Sequence, residues 1–329
     1  RADRVVLSRS VVWLLCALLA FGSPHVQAIS SEPAKEKLRS MAQAVRAMSY
    51  SGKLVYQRAD VLVNLAFQHD VVNGKETARL RRLSGQALER AQSGSSLIEA
   101  TPGPNVLRQG YPLPGMINSE PRQIFEAPYQ IMLGGVERIA DRSAQLVLVE
   151  SMDGHRHSYK FWVDEETSLL LRSQTLNAES QTLEQFEFSE LTVGPQSVEI
   201  AGGQESFQVK VYPITEPGAV LQFSPASWLP SGYQLVSALP SRAGSQRVYT
   251  LVYTDGLGSF SIFLELTSAR PDADMQAILG PTVALGKDYA LSGGALRVTL
   301  VGEIPPETGK TIIDALDVDG LKGLLSRSQ

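Results

Sequence analysis

The sequence predicts an α+β protein of two domains, each built mainly on antiparallel strands. Three observations carry that expectation. The apolar period switches from helical spacing to two just after residue 48 and stays there for most of the chain. Tight-turn pairs such as Asn73-Gly74 and Asp153-Gly154 join successive strands, which makes neighbours antiparallel. The pattern then fades over 194–219 and a new series of strands follows, in a chain long enough for two cores.

The first thirty residues read as an export signal. Arg1, Arg4 and Arg9 precede an unbroken apolar run from Val11 to Phe21, then Gly22-Ser23-Pro24, then Val26-Gln27-Ala28 with small residues at the peptidase positions. Eleven apolar residues make a helix of about 16 Å, roughly half a bilayer core, too short for a retained anchor. Residues 1–28 are therefore expected to be a cleaved signal peptide. Cys16, the single cysteine, lies inside this run, and Leu15 before it does not suit a lipoprotein signal. The mature chain is expected to lack cysteine, which excludes disulfides, thiolate chemistry and Cys-based metal sites. Three Arg and one Asp leave with the signal, so 30 basic and 34 acidic residues become 27 and 33, a net charge of −6. A mildly acidic chain without a basic run points away from nucleic acid.

The first domain is expected over 29–193. Ser31 is placed to cap a helix, Pro33 suits its first turn, and Leu38, Met41, Ala42, Val45 and Met48 recur at helical spacing. Leu54 and Tyr56 then share one strand face, and Val63, Leu65 and Phe67 another, before Val71-Val72 enters the Asn73-Gly74 hairpin. A third strand spans roughly Glu76 to Leu83. Thr101-Pro102-Gly103-Pro104-Asn105 and Pro112-Leu113-Pro114-Gly115 are loop chemistry, and a short covering helix is expected between Pro121 and Leu133. Strands follow at Gln145–Glu150, Ser158–Val163, Ser168–Thr175 and Thr182–Leu191, the last with Phe186 and Phe188 on one face. Such a sheet tends to curl around its helix. Leu54, Tyr56, Val63, Leu65, Phe67, Phe161, Leu170 and Phe186 would line its concave side, as a filled core or as a hollow for an acyl chain.

A linker is expected over 194–219 and a second domain over 220–318. The latter opens with the turn Trp228-Leu-Pro-Ser-Gly-Tyr233. Strands Gln246–Thr254 and Ser259–Leu266 meet at Asp255-Gly256, another strand lies near Leu296–Val301, and a helix opens at Pro305-Pro306 and runs to about Leu316. A frayed tail is expected beyond, over 319–329.

Catalytic signatures are sparse. His155 and His157 would point to one side of a strand, as two metal ligands could, but no third ligand suggests itself, and a solvated hairpin flank fits better. Gly309-Lys310-Thr311 resembles the end of a phosphate loop, but Ile304 stands where the loop needs glycine. Glu165 and Glu166 diverge in a turn. No cofactor, metal or catalytic residue is assigned, and the chain is expected to bind rather than to catalyse.

Several dispersed motifs resemble one family. They are Gly135-Val-Glu-Arg-Ile-Ala-Asp-Arg142, Val149-Glu-Ser-Met-Asp-Gly154, Tyr159-Lys-Phe-Trp-Val-Asp164, Thr167-Ser-Leu-Leu-Leu-Arg172 and Leu183-Glu-Gln-Phe186. In the second domain they are Trp228-Leu-Pro-Ser-Gly-Tyr233, Val252-Tyr-Thr-Asp-Gly-Leu-Gly-Ser-Phe-Ser261 and Val301-Gly-Glu-Ile-Pro-Pro306. In this order they resemble the periplasmic sigma-E regulators RseB and MucB, over roughly 34–316, more loosely from 60 to 117. The resemblance implies a lipoprotein-carrier-like half-open barrel with covering helices, followed by a smaller α/β domain. It implies a periplasmic partner, the periplasmic domain of a membrane anti-sigma factor, shielded from regulated proteolysis, with lipid or lipopolysaccharide fragments controlling release. Trp228, Tyr233, Tyr249, Tyr253 and Phe260 are the candidate partner contacts, though each also suits a core. A homodimer is neither supported nor opposed. The alternative function is a periplasmic lipid or lipoprotein carrier.

Overall fold

The computed structural model describes residues 31–84, 89–93, 96–99, 127–195, 225–243 and 246–327. The expected signal, the loops at 101–105 and 112–115, and nearly all of the expected linker lie outside them. Helix α1 (Glu32–Ala47) starts where the sequence places it. The Ser31 hydroxyl accepts from the Ala34 amide at 3.3 Å, and Pro33 occupies the first turn, where its missing N–H leaves no bond unmade. Ala34, Leu38, Met41 and Val45 form its buried stripe. Ser31→Ala is expected to lower stability by about 1 kcal/mol, read as a shifted urea midpoint at unchanged m-value.

The first domain is one ten-stranded antiparallel sheet: β1 (Tyr50–Arg58), β2 (Val61–Val72), β3 (Lys75–Arg82), β4 (Glu89–Ser93), β5 (Ser96–Glu99), β6 (Tyr129–Ile139), β7 (Arg142–Ser151), β8 (Ser158–Asp164), β9 (Leu170–Leu176) and β10 (Thr182–Val193). The strand order is β5-β4-β3-β2-β1-β10-β9-β8-β7-β6, so the first and last strands pair in the middle. Asn73 and Gly74 both take positive φ, as a two-residue hairpin of primed type demands. One core cluster collects side chains from β1, β2, β6, β7, β8, β10 and α1. Strands that far apart in the order share a core only if the sheet curls, so this is the half-open barrel with α1 in its hollow.

The helix expected up to Leu133 is not there in its described part. From Tyr129 the chain is the edge strand β6, hydrogen-bonded to β7, with Tyr129 and Ile131 inward at period two and a register shift between Leu133 and Val136 at Gly134-Gly135. A paired strand satisfies every second backbone group along β7, and the two glycines suit a bulge better than a helix. Residues 121–126 lie outside the described region.

The second domain is a six-stranded antiparallel sheet, β11 (Gln234–Ala243), β12 (Gln246–Thr254), β13 (Ser259–Thr267), β14 (Met275–Leu279), β15 (Thr282–Leu291) and β16 (Gly294–Gly302), in the order β11-β12-β13-β16-β15-β14. Strands β11, β14 and β15 are additions to the sequence reading. Pro240 masks β11, where an edge position tolerates it, and β14 is exposed along its whole length and so shows no alternation. Helix α2 (Pro306–Asp314) lies where Pro305-Pro306 predicts. The expected frayed tail is instead helix α3 (Val318–Arg327), held because Leu321 and Leu325 are buried in the second core.

Candidate functional site

The structure brings all eight concave-face candidates together. Leu54 sits between Leu65 and Phe188, and Tyr56 between Val63 and Phe186, in adjacent rows of the ladder. Phe67 lies opposite Gly52, beside the rings of Tyr50 and Phe188 at 5.5 and 6.3 Å. Phe161 stacks on Tyr159 at 5.8 Å, and Leu170 joins the same cluster. Each is buried, and Leu38, Met41 and Val45 of α1 belong to the same cluster. The concave face is thus closed by the chain's own helix.

The five aromatic candidates of the second domain are placed differently. Tyr233, Tyr249, Tyr253 and Phe260 are buried; Tyr253 and Phe260 stack at 5.0 Å, with Tyr233 5.2 Å from Phe260. Period two puts Tyr249, Leu251 and Tyr253 on one face of β12, and they share a core with Ile312 and Leu321 of α2 and α3. They are core residues and not an outward aromatic surface. Trp228 is half-buried, its ring edge-on to His155 at 5.2 Å.

That last contact belongs to a polar seam between the domains. Arg156, buried, donates to Asp153 on its own domain and to Asp255 and the Ser231 carbonyl on the other, the Asp255 contact at 2.6 Å. Its guanidinium also lies over the rings of Tyr129 and Tyr233 at 5.2 and 5.1 Å. Asp255, fully buried, accepts additionally from the Tyr129 hydroxyl at 2.9 Å and from the amides of Leu257 and Gly258. Burial works against the charge on Arg156, but the two carboxylates outweigh it and hold its pKa above the ordinary value. Burial also opposes the charge on Asp153, and the Arg156 hydrogen bond reverses that, leaving its carboxyl below the usual range.

The other end of the seam is built on Arg58. It donates to the Leu279 carbonyl at 3.1 Å and to the Thr282 hydroxyl, and lies 3.5 Å from the Glu184 carboxylate. Gly280 packs here at φ +56, where a Cβ would come within 2.8 Å of the Arg58 side chain and 3.0 Å of the Leu183 carbonyl. Only glycine lets the β14–β15 turn approach so closely. His157 is buried, not on a solvated flank as expected. It does not lie in a strand, its Nε2 is 3.0 Å from the Pro281 carbonyl, and burial pushes its pKa down. The packing of the second domain covers what would otherwise be a hairpin flank. No set of three or more metal-ligating side chains occurs among the described residues.

Sequence reasoning missed the seam as a site, yet several of its residues sit in the motifs quoted above, Asp153, Tyr159, Glu184, Tyr233, Asp255, Gly258 and Glu303, while Arg58, Tyr129, Arg156 and His157 lie outside them. The two halves of the chain match, in order, the models for the MucB/RseB N-terminal domain, over residues 33–210, and the MucB/RseB C-terminal domain, over 221–317. The chain belongs to the MucB/RseB family. The sigma factor AlgU regulatory protein MucB of Pseudomonas aeruginosa is 30% identical over 311 residues, 92% of this chain and 95% of that protein. The sigma-E factor regulatory protein RseB of Salmonella typhimurium is 29% identical, over 93% and 97%. A solved structure of MucB in complex with MucA(peri) matches with a TM-score of 0.67 at 28% identity, covering 85% of this chain and 96% of that one. A structure of MucB alone matches with a TM-score of 0.64. Both MucB/RseB domains are therefore present here, joined through the Arg58 and Arg156 seam.

Proposed function

We propose that this protein is a periplasmic negative regulator of a sigma-E-type envelope-stress response. It binds the periplasmic domain of a membrane anti-sigma factor and shields that domain from the protease that would begin its destruction. The observation that carries this reading is the two-domain match to a family with a member solved in complex with MucA(peri). It acts as a binding protein, and its work is done in the periplasm after export. Among the described residues no helix is long and apolar enough to cross a membrane.

The releasing ligand is a lipid or a lipopolysaccharide fragment, taken up by the concave face of Leu54, Tyr56, Val63, Leu65, Phe67, Phe161, Leu170 and Phe186. Acyl chains would displace the α1 stripe that fills this face. Each buried CH₂ contributes about 0.8 kcal/mol, while a tenfold loss of partner affinity needs only about 1.4 kcal/mol of coupling. The chemistry is adequate provided the lipid favours the partner-free form.

Calorimetric titration of the protein with its cognate anti-sigma periplasmic domain tests this. Tight binding that weakens at least tenfold on adding a lipopolysaccharide fragment is the expected result. Binding indifferent to lipid would remove the sensor and keep the shield. No binding by folded protein would overturn the regulator and favour a lipid or lipoprotein carrier, for which the curled sheet around a helix is also suited.

A further inference from the structure

The seam holds more anions than cations. From the first domain it is faced by Arg58 on β1, Tyr129 on β6, Asp153, His155, Arg156 and His157 between β7 and β8, Tyr159 on β8 and Glu184 on β10. From the second it is faced by Tyr233 before β11, Asp255 between β12 and β13, and Glu303 between β16 and α2, the Glu303 backbone carbonyl lying beside Gly258 together with the hydroxyls of Tyr233 and, from the first domain, Tyr159. Arg156 is taken up by Asp153 and Asp255. That leaves Arg58 as the one cation for Glu184 and Glu303, while its Nε donates to the Leu279 carbonyl and one Nη2 hydrogen to the Thr282 hydroxyl. The Glu184 oxygen nearest Arg58 has no hydrogen-bond donor among the described residues. One guanidinium cannot neutralise two carboxylates at a buried contact, and the cheapest remedy is a proton.

We infer that the seam is a proton-operated latch: the closed contact keeps a proton on the Glu184–Glu303 pair and none on His157, and a change in either loosens the domains. The supporting electrostatics agree with the geometry. Burial, then the neighbouring Glu303, pushes Glu184 up to about 8 against the pull of the Tyr56 hydrogen bond and Arg58. Burial pushes Glu303 up to about 7 against Arg58. Parting the domains hydrates both carboxyls and separates them from each other, which moves them back towards the ordinary carboxylate range. The closed form therefore binds more protons, so closure is favoured at acidic pH and lost as pH rises through about 7 to 8. His157 works the other way. Its lowered pKa favours closure above about 6.5 and withdraws support as pH falls and the ring must charge on the Pro281 side. The contact is tightest in mildly acidic to neutral solution.

The test measures interdomain distances by paired spin labels on the full chain with Cys16→Ser, labelled at Glu150→Cys and Asp319→Cys, two exposed sites away from the seam. Between pH 6 and pH 9 the ratio of closed to open forms is expected to fall by roughly two- to threefold: one carboxyl titrating near 7 contributes about tenfold, and His157 returns about fourfold of it. Glu303→Gln, a neutral stand-in for the protonated acid at a partly buried position, is expected to remove the carboxyl's contribution and leave only the opposite, His157 response. Glu184→Gln is expected to do the same, and Glu303→Gln alone suffices if that variant folds poorly. Distances unchanged from pH 6 to 9, or an equal change in the parent and in Glu303→Gln, would overturn the latch. So would a distance change accompanied by loss of the β-sheet circular dichroism signal, since that is global unfolding.

Discussion

Replacing Arg156 by methionine is expected to cost about 3–5 kcal/mol, the largest single effect at the domain seam. The side chain is almost wholly enclosed, Asp255 is completely so, and the two meet at 2.6 Å. Removing the guanidinium leaves the Asp255 carboxylate with the Tyr129 hydroxyl and two amides but no counter-charge. It also removes the cation from between the Tyr129 and Tyr233 rings. The cost should appear in denaturant unfolding and as loosened domains in the labelled pair described above. Asp255→Asn combined with Arg156→Met should recover part of the loss, because the uncompensated charge goes with it. A single mutant as stable as the parent would mean that the seam is wet or open in solution.

The second large effect concerns the concave face. Phe67→Ala is expected to lower stability by about 3–5 kcal/mol, because the ring is packed against Tyr50, Phe188 and the rest of the first core. The space it leaves is apolar and should stay dry. Differential scanning calorimetry with a short-chain amphiphile then separates two pictures. A face filled by α1 predicts that the amphiphile raises the Tm of Phe67→Ala but hardly that of the parent. A face that empties readily in solution predicts a rise in both and a smaller penalty for the substitution.

Legibility from sequence followed the strength of periodicity. Where one strand face is dry and the other wet, as along Val63, Leu65 and Phe67, alternation shows the strand and its inward side at once. Helix α1 was equally plain, because a cap, a first-turn proline and an apolar stripe coincide. β14 was not, since both its faces are exposed and nothing alternates. β6 was obscured by Gly134-Gly135, whose bulge shifts the register between Leu133 and Val136. α3 is short: Asp317 caps it by accepting from the Gly320 amide at 3.1 Å, and Leu321 and Leu325 anchor it in the second core, but its apolar stripe is too brief to stand out from a tail. The concave candidates were readable because burial by a curled sheet uses the same alternation as burial by a flat one. The seam was invisible for a different reason. Arg58, Arg156, Glu184 and Asp255 look like ordinary surface charge until a second domain covers them, and pairs separated by 99 residues, such as Arg156 and Asp255, leave no local trace. His157 was misjudged for the same cause.

The pairing of β1 with β10 has a consequence for how the molecule is made. Lys53 meets Glu190 across that ladder, 137 residues later in the chain. Nearest-neighbour hairpins can zip up in microseconds on either side, but the two halves of the sheet cannot join until the last strand of the domain has been delivered. Until then the inner edge of β1 offers unpaired amides and carbonyls beside Leu54 and Tyr56, an apolar template open to any other strand. A chain threaded across a membrane from its N-terminus would spend that whole interval with its future centre as an edge. Folding speed, and the need for a holding chaperone, should therefore depend on how quickly β10 arrives.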